Sequence, residues 1–260
     1  MNNQIRNLGQ RLIAFIKFID GVSRLALETT FWIFLPPFKK QRFFYQCKKI
    51  GVDSLPIVSL VGLFTGMILA LQTAYLMKKL SSEIYIASIV ALSLTRELGP
   101  VLTALIVAGR SGAAITAEIG TMTVTEQVDA LRTLGTNPVK YLVVPRFLSL
   151  TFMLPILTIY SDLVGMFGGY LICVNRLAIQ PNMYIYTTFD TLVNKDVFTG
   201  LIKTIFFGMI IALVACYEGL NVEGGAEGVG KSTTSSVVKT FILIIIADCF
   251  FTALFYFFWH

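Results

Sequence analysis

Five separate apolar stretches, each of about 20 residues, constrain the fold of this chain more than any other feature of its sequence. A helix of that length crosses the roughly 30 Å hydrocarbon core of a bilayer. The stretches cover residues 55–77, 84–109, 147–174, 200–217 and 237–259. We therefore predict an all-α integral membrane protein in which residues 1–260 form a single domain and residues 55–259 contain five transmembrane helices.

The composition supports a membrane protein and argues against several other classes. Only 14% of the residues are charged, whereas a soluble domain of this length carries about 25%. The single histidine is His260, so we expect no Ser-His-Asp triad, no metal site, no haem and no other cofactor. Four cysteines without a CxxC spacing predict buried small apolar side chains and no disulfide framework: Cys47, Cys173, Cys216 and Cys249.

Residues 1–50, before the first apolar stretch, have the pattern of an amphipathic helix that lies in the membrane interface. Apolar residues recur at steps of three and four, with basic residues mainly between them. An aromatic run at 31–34, stopped by Pro36 and Pro37, is typical of an elbow at headgroup depth. An ordinary soluble amphipathic helix is the alternative. The apolar positions are Ile5, Leu8, Leu12, Phe15, Ile19, Val22 and Leu25.

The basic residues predict the orientation of the spans. With the N-terminus in the cytoplasm, fifteen of the 21 Lys and Arg residues lie on that side, five lie opposite and Arg96 lies within the membrane. This positive-inside bias, with five spans, places the C-terminus outside. Because these residues flank membrane spans, anionic lipid headgroups are the expected partner and nucleic acid is not. The five on the outer side are Lys78, Lys79, Arg176, Lys195 and Lys203. Lys203, near the outer end of the fourth stretch, is expected to extend its side chain toward that surface.

Arg96 and Glu97 are the strongest local signal of function. A charge at mid-membrane costs at least about 2.5 to 3.5 kcal/mol on insertion scales, so it is retained where it faces a polar cavity or a partner. A guanidinium can hold a phosphate, and Gly99-Pro100 weakens the helix and frees a backbone carbonyl at the same depth. Alternatively, the two charges pair with other spans, for which Asp162, Lys203 and Asp248 are available.

Residues 110–145 form the least hydrophobic long segment between the spans. Helical spacing of apolar residues and a stop at Gly135 predict a short amphipathic helix near residues 117–134, on the cytoplasmic side. Such a helix can contact a soluble partner, or it can simply connect two spans. Its charged residues are Glu118, Glu126, Asp129 and Arg132.

Residues 225–232 match the GxxxxGK[ST] pattern of a nucleotide-binding P-loop, yet we interpret the match as coincidental. A working P-loop follows a strand and precedes a helix packed on a parallel sheet. Here the pattern falls in a predicted loop of about 20 residues between two spans, 217–236, which leaves no room for a sheet. We instead predict a tight glycine turn, with residues 232–236 capping the last span.

Two strings resemble the signatures of MlaE-type (YrbE-like) permeases, the membrane subunits of ABC transporters that act on lipids together with MCE-domain proteins. They are TRELGPVLTALIVAGRSGAAITAEIGTMTVTEQVDALRTLGTNP, at 95–138, and EGLNVEGGAEGVGKSTTSSVVKT, at 218–240. The first is long and specific. The family carries a similar GVG-[KR]-[AS]-T-T loop in place of the second, which agrees that this is not an ATPase motif.

The resemblance implies a homodimer of permeases in the inner membrane of a Gram-negative-type envelope, with a hexameric MCE-domain ring above a cavity at the dimer axis. Phospholipid would lie in that cavity, beside Arg96, Glu97, Gly99 and Pro100. The segment at 117–134 would be a coupling helix in a groove of a separate ATP-binding subunit. Its polar contacts would come from Glu118, Glu126, Asp129 and Arg132.

Two other functions compete with a lipid permease. An intramembrane lipid-modifying enzyme would use Arg96, Glu97, Asp162 and Asp248 as acid and base groups, but the sequence shows no placed nucleophile or metal cluster. A membrane scaffold without transport explains the spans, but it does not explain why the chain retains Arg96 and Glu97 at an energetic cost within the membrane. The direction of lipid movement and the headgroup preference are open.

Overall fold

The computed structural model describes residues 2–35 and 40–258, and for residues 2–12, 14, 15 and 258 it describes the backbone alone. The predicted elbow at Pro36 and Pro37, together with His260, lies outside the described residues. The described chain contains eleven α-helices. They are α1 Asn2–Ile33, α2 Lys40–Ile50, α3 Leu55–Lys79, α4 Ile86–Ser93, α5 Gly99–Val107, α6 Ala113–Val124, α7 Gln127–Thr133, α8 Val144–Leu177, α9 Pro181–Thr191, α10 Asn194–Leu220 and α11 Gly225–Phe258.

Within the described residues, five helical segments are long and apolar enough to cross a membrane, which confirms the predicted fold class. Two of them consist of several helices joined end to end through short 3-10 or π turns. One joins α2 to α3, and another joins α4, α5 and α6 through π turns at Leu94–Leu98 and Ala108–Gly112. The segments are Lys40–Lys79, Glu83–Val124, Val139–Leu177, Asn194–Leu220 and Gly225–Phe257.

Helix α8 is the central element, because it packs along both α3 and α10. Its contact with α3 is close because glycines remove side chains from the interface. A Cβ on Gly66 would lie 1.8 Å from the Gly165 carbonyl oxygen, and one on Gly168 would lie 2.2 Å from that of Leu63. Three glycines in the third apolar stretch, Gly165, Gly168 and Gly169, predict close helix packing, and these contacts confirm it for Gly165 and Gly168.

We predict that Gly66→Ala lowers the free energy of unfolding by about 3 kcal/mol, because the added methyl group forces α3 and α8 apart. Gly230→Ala is the matched control, since nothing lies within 4 Å of a Cβ at that helical position. Replacing a helical glycine by alanine there is expected to stabilise by up to about 1 kcal/mol. Thermal unfolding in mild detergent measures both changes, and equal melting temperatures for the two variants would contradict the close contact.

The start of the last span differs from the prediction. Helix α10 continues to Leu220 and α11 begins at Gly225, so the predicted loop at 217–236 is mostly helical and residues 232–236 lie inside α11 and do not cap it. The glycine turn itself is confirmed, because Gly224 and Gly225 adopt φ of +84° and +70°. The composition suggested a loop, but α11 packs against α6, where Thr116 donates a hydrogen bond to Ser236 Oγ (2.9 Å).

The helix predicted at 117–134 is divided in two. Helix α6 ends at Val124, Glu126 adopts a left-handed conformation with φ of +59°, and α7 begins at Gln127. The left-handed residue interrupts the backbone hydrogen-bond ladder, so α7 can take its own direction. The predicted stop is confirmed, since Gly135 has φ of +70° and Thr136 N–H donates to Leu131 O (2.9 Å), as in a Schellman motif.

The remaining predictions on local structure have mixed outcomes. The aromatic residues of segment 175–199 predict an ordered cap or a short interfacial helix, and the segment contains α9. Cys173 and Cys216 are buried as predicted, but that prediction is wrong for Cys249, which is exposed among apolar side chains of α11, and for Cys47, which is partly exposed.

Helix α11 exposes a row of large apolar residues that includes Ile242, Ile245, Ile246 and Phe250. A surface of this kind is suited to contact with lipid chains.

Candidate functional site: a charged cavity beside Arg96

Arg96 and Glu97 lie in the π turn Leu94–Leu98 between α4 and α5. π turns inside α-helices are frequent at functional sites. Pro100 cannot donate a backbone hydrogen bond to the Arg96 carbonyl four residues earlier. That carbonyl oxygen instead accepts a hydrogen bond from Lys203 Nζ (3.2 Å) on α10. As predicted, the Arg96 carbonyl has no hydrogen bond from Pro100, and this leaves it available to accept one from Lys203 of α10.

Lys203 is the centre of the polar network, with only 2% of its side chain exposed. We expected this lysine to extend toward the outer membrane surface, and that expectation is wrong. The π turn Leu94–Leu98 and α11 surround its ammonium group with acceptors, so the charge is neutralised inside the protein. The side-chain acceptors are Glu97 Oε2 (2.8 Å), Asp248 Oδ1 (3.0 Å) and Thr252 Oγ1 (2.7 Å).

Arg96 pairs with Asp196, in the first turn of α10. Both Nε (2.6 Å) and Nη2 (2.5 Å) of Arg96 approach Asp196 Oδ1. Asp196 is buried with 6% of its side chain exposed, whereas 57% of the Arg96 side chain is exposed. The guanidinium therefore keeps donors available on its exposed side while the buried carboxylate fixes its position.

A half-open cavity of about 440 Å³ lies directly over these groups. Three cationic and two anionic side chains border it, and aromatic and aliphatic groups complete its wall. The volume falls within the range of small-molecule sites, roughly 300–1,000 Å³. The two alternatives predicted for Arg96 and Glu97, facing a polar cavity and pairing with another span, are therefore compatible. Each charge is paired and each also borders the opening. The lining residues are Arg96, Glu97, Val193, Lys195, Asp196, Thr199, Lys203, Thr252, Phe255 and Tyr256.

Gly99 and Pro100, the other two predicted lipid contacts, are buried and do not line this cavity. A Cβ on Gly99 would meet Asp162 Oδ1 of α8 at 1.8 Å, and Pro100 packs beside Gly200 of α10. These two residues therefore allow neighbouring helices to approach behind the cavity wall. Asp162 Oδ1 is buried and has no hydrogen-bond partner among the described residues, and Asp162 lies outside the network around Lys203.

Asp196 is the main functional residue that the sequence reasoning missed. It lies between the third and fourth apolar stretches, four residues before the fourth, in a segment predicted to be outside the membrane. It was therefore not considered as a partner for Arg96. The available signal was its spacing, because Asp196 and Lys203 are seven residues apart and so occupy the same face of α10. Thr252 and Phe255 were missed as well, since they lie in an otherwise apolar helix.

The four predicted coupling residues lie in two different environments. Glu118 pairs with Lys49 (2.8 Å) and with the buried Arg146 (3.0 Å), so it connects α6 to α2 and α8. Glu126, Asp129 and Arg132 are exposed on and beside α7, where Asp129 and Arg132 form an i,i+3 ion pair (2.9 Å). The structure thus leaves three of the four at an accessible surface.

Residues 225–232, which match the P-loop pattern, form the first two turns of α11. Their backbone is helical and does not form a loop around a phosphate. Lys231 and Glu227 are both exposed and form an i,i+4 ion pair (2.7 Å) on the helix surface.

We expect Lys231→Ala to leave ATP hydrolysis by the complex of this chain with an ATP-binding subunit nearly unchanged. An exposed ion pair of this kind contributes little to stability, and no nucleotide contact is lost. The measurement is phosphate release by the reconstituted complex. A loss of hydrolysis as large as that caused by replacing a true P-loop lysine would contradict our interpretation.

Comparison with known proteins gives consistent matches over most of the chain. The family described as Permease MlaE matches residues 43–254. A protein of Rickettsia felis named "Probable ABC transporter permease protein" is 44% identical over 254 residues, which cover 98% of each chain. A protein of the same description from Synechocystis sp. is 45% identical over 79% of this chain and 78% of its own. The chloroplast protein TRIGALACTOSYLDIACYLGLYCEROL 1 of Arabidopsis thaliana is 38% identical over 81% of this chain and 60% of its own length.

Proposed function

The chain belongs to the MlaE permease family, and from that premise we propose that it is the membrane subunit of an ABC-type phospholipid transporter. The half-open cavity beside Arg96 is the observation on which the lipid assignment rests. ATP hydrolysis takes place in a separate subunit, as the names of the relatives imply. This chain contributes the path for the lipid and no catalytic residue.

The cavity has the chemistry that an amphiphile requires. The exposed side of the Arg96 guanidinium can donate paired hydrogen bonds to a lipid phosphate, while Asp196 holds the arginine in place. Lys195 adds a second, exposed cation at the same opening. Val193 and Phe255 form apolar wall against which the glycerol and upper acyl chains can pack. The name of the Arabidopsis relative is that of a galactolipid, which supports a lipid as the transported class.

We propose the partners and location that the family resemblance implies. Two copies of the chain form a dimer, and their cavities open toward a hexameric MCE-domain ring. The protein lies in the inner membrane with its N-terminus in the cytoplasm and its C-terminus in the periplasm. The distribution of basic residues supports this orientation, because fifteen lie on the proposed cytoplasmic side and, without the buried Lys203, four on the other.

Helix α7 is the proposed contact with the ATP-binding subunit. It is the shortest of the described helices that end on the cytoplasmic side, its polar face is exposed, and Val128 alone is buried along it. The left-handed Glu126 sets α7 apart from α6. A partner that moves α7 would therefore transmit force through α6 and its π turn to α5, and from there to Arg96. Glu118 contributes to this transmission inside the protein, because its ion pairs with Lys49 and Arg146 connect α6 to α2 and α8.

We predict that Asp129→Lys weakens association with the ATP-binding subunit by at least about tenfold, because it places a like charge against the partner's basic groups. Glu126→Lys has the same direction. Asp20→Lys is the matched control, since Asp20 is an exposed acid paired within its own helix on α1, as Asp129 is on α7. Co-purification and titration of the two subunits measure the effect. Equal loss in Asp20→Lys and Asp129→Lys would show that net charge and not α7 controls association.

A reconstitution experiment tests the proposed function. The purified chain, alone and with its ATP-binding subunit, is placed in vesicles that contain fluorescent phospholipid, and an MCE-domain protein serves as acceptor. We expect ATP-dependent lipid transfer only with the complete complex. Chemical change of the lipid by the chain alone would identify a lipid-modifying enzyme. A complex that neither transfers lipid nor hydrolyses ATP in response to it would identify a scaffold.

A further inference from the structure

We propose that the chain carries a second, non-transported lipid site, which binds the headgroup of an anionic phospholipid at the start of α8. A cavity of about 360 Å³ lies there, between the end of α1, the start of α2 and the connection from α7 to α8. Helix α8 has 34 residues, so it extends for about 50 Å from this cavity toward the end that leads to α9 and the Arg96 cavity. The lining residues are Trp32, Leu35, Arg42, Gly135, Thr136, Asn137, Lys140, Tyr141, Val144 and Pro145.

Two cations are held at this cavity by aromatic rings. The Arg42 guanidinium carbon lies 3.3 Å from the centroid of the Tyr141 ring, and Lys140 Nζ lies 5.1 Å from that of Trp32. A cation–π contact orients a basic side chain without neutralising its charge. Among the described lining residues there is no acid. The cavity is therefore positive, with donors suited to a phosphate.

Hydrogen bonds in the loop between α7 and α8 fix the position of Lys140. Asn137 Oδ1 accepts backbone hydrogen bonds from Val139 (2.7 Å) and Lys140 (3.3 Å), which fixes the turn in which Lys140 lies. Asn137 Nδ2 donates to the exposed Glu28 of α1 (3.1 Å), which does not itself line the cavity. The arrangement joins three elements around one positive opening.

Exposed apolar side chains next to the cavity favour a lipid over a soluble anion or a protein. Phe31 and Phe34, at the end of α1, and Phe44 and Tyr45, on α2, are all more than half exposed. Aromatic side chains of this kind concentrate where headgroups meet acyl chains. A ligand that satisfies both the cations and this apolar rim has a phosphate and acyl chains. Inorganic phosphate would contact only the cations and not the apolar rim.

Such a lipid would stabilise the connection that follows α7. Gly135 and Thr136 lie both at the end of α7 and in the cavity wall. A bound headgroup would therefore hold the base of the proposed coupling helix in one position. Anionic lipid at this site acts as a fixed ligand of the permease, and its occupancy does not depend on what the Arg96 cavity transports.

Photo-crosslinking tests the proposal on the full chain in nanodiscs of equal parts phosphatidylcholine and phosphatidylglycerol, with a photoreactive phosphatidylglycerol as probe. We expect adducts within residues 135–145. Arg42→Gln combined with Lys140→Gln should lower them by roughly tenfold or more. Lys40→Gln with Lys48→Gln is the matched control, because it removes the same charge from exposed positions of α2 outside the cavity. Its expected loss is below about twofold.

Several outcomes would overturn the proposal. Equal losses in the two double variants would indicate nonspecific attraction, and adducts only outside 135–145 would place the lipid elsewhere. Displacement by excess inorganic phosphate would identify a soluble anion as the occupant. Protection by the ATP-binding subunit would assign the surface to a protein. Labelling that persists in Arg96→Gln separates this site from the transport cavity, and an unchanged melting temperature of the Arg42/Lys140 variant excludes unfolding as the cause of its loss.

Discussion

Replacement of Lys203 by methionine is expected to lower the free energy of unfolding by about 3 kcal/mol, because it leaves two neighbouring, partly exposed carboxylates without their cation. Glu97 and Asp248 both contact the Lys203 ammonium group, at 2.8 and 3.0 Å. Without the cation their carboxylates repel each other, and the Arg96 carbonyl loses its donor. Unfolding in mixed micelles, followed by loss of helical signal, measures the change.

A matched control and a rescue separate charge balance from packing. Lys195→Met removes an exposed lysine from the same cavity, so we expect a change below about 1 kcal/mol. Adding Glu97→Gln and Asp248→Asn to Lys203→Met removes the uncompensated carboxylates and should restore at least half of the lost stability. If Lys195→Met is as damaging as Lys203→Met, or if the triple variant is not more stable than the single one, the network around Lys203 does not have the role described.

The second large effect that we predict is a loss of bound phospholipid when Arg96 is replaced. We expect Arg96→Gln to lower the phospholipid that co-purifies with the chain by at least about tenfold, because a neutral amide cannot replace a charge-assisted, paired contact with phosphate. The variant should still bind the ATP-binding subunit, since Arg96 lies in the π turn before α5 and not near α7. Quantitative lipid extraction and subunit co-purification report the two properties separately.

The buried partner of Arg96 requires its own control. Arg96→Gln leaves the Asp196 carboxylate buried and unpaired, and this alone destabilises the first turn of α10. Arg96→Gln with Asp196→Asn removes that penalty. We expect the double variant to regain stability but not lipid, because the phosphate ligand is still missing. Recovery of lipid in the double variant would show that Arg96 acts only by neutralising Asp196.

The spans were predictable because their signal is local. Stretches of about 20 apolar residues form membrane helices almost regardless of their neighbours, and the energetic cost of charges within such a stretch marks Arg96 and Glu97 as special without knowledge of the fold. Lys203 could be named as one available partner for the same reason. Its position at the centre of the network could not, because that depends on how α10 and α11 pack against the π turn.

The features that sequence reasoning missed depend on contacts between distant residues. Asp196 is separated from Arg96 by 100 positions, and nothing in either local sequence pairs them. Glu118 was taken as a surface residue because Lys49 and Arg146 come from other helices. The start of α11 was placed too late because its glycines and serines suggest a loop, whereas packing against α6 makes them helical.

Site-specific photo-crosslinking from inside the Arg96 cavity tests the lipid assignment most directly. Val193 lines the cavity and is replaced by photoreactive benzoylphenylalanine, while the same residue at the exposed Tyr186 of α9 serves as the control position outside it. We predict phospholipid adducts at position 193 that are lost in Arg96→Gln, and adducts at position 186 that do not change. Absence of phospholipid at position 193, or an adduct that is equally strong without Arg96, would contradict a lipid cavity organised by this arginine.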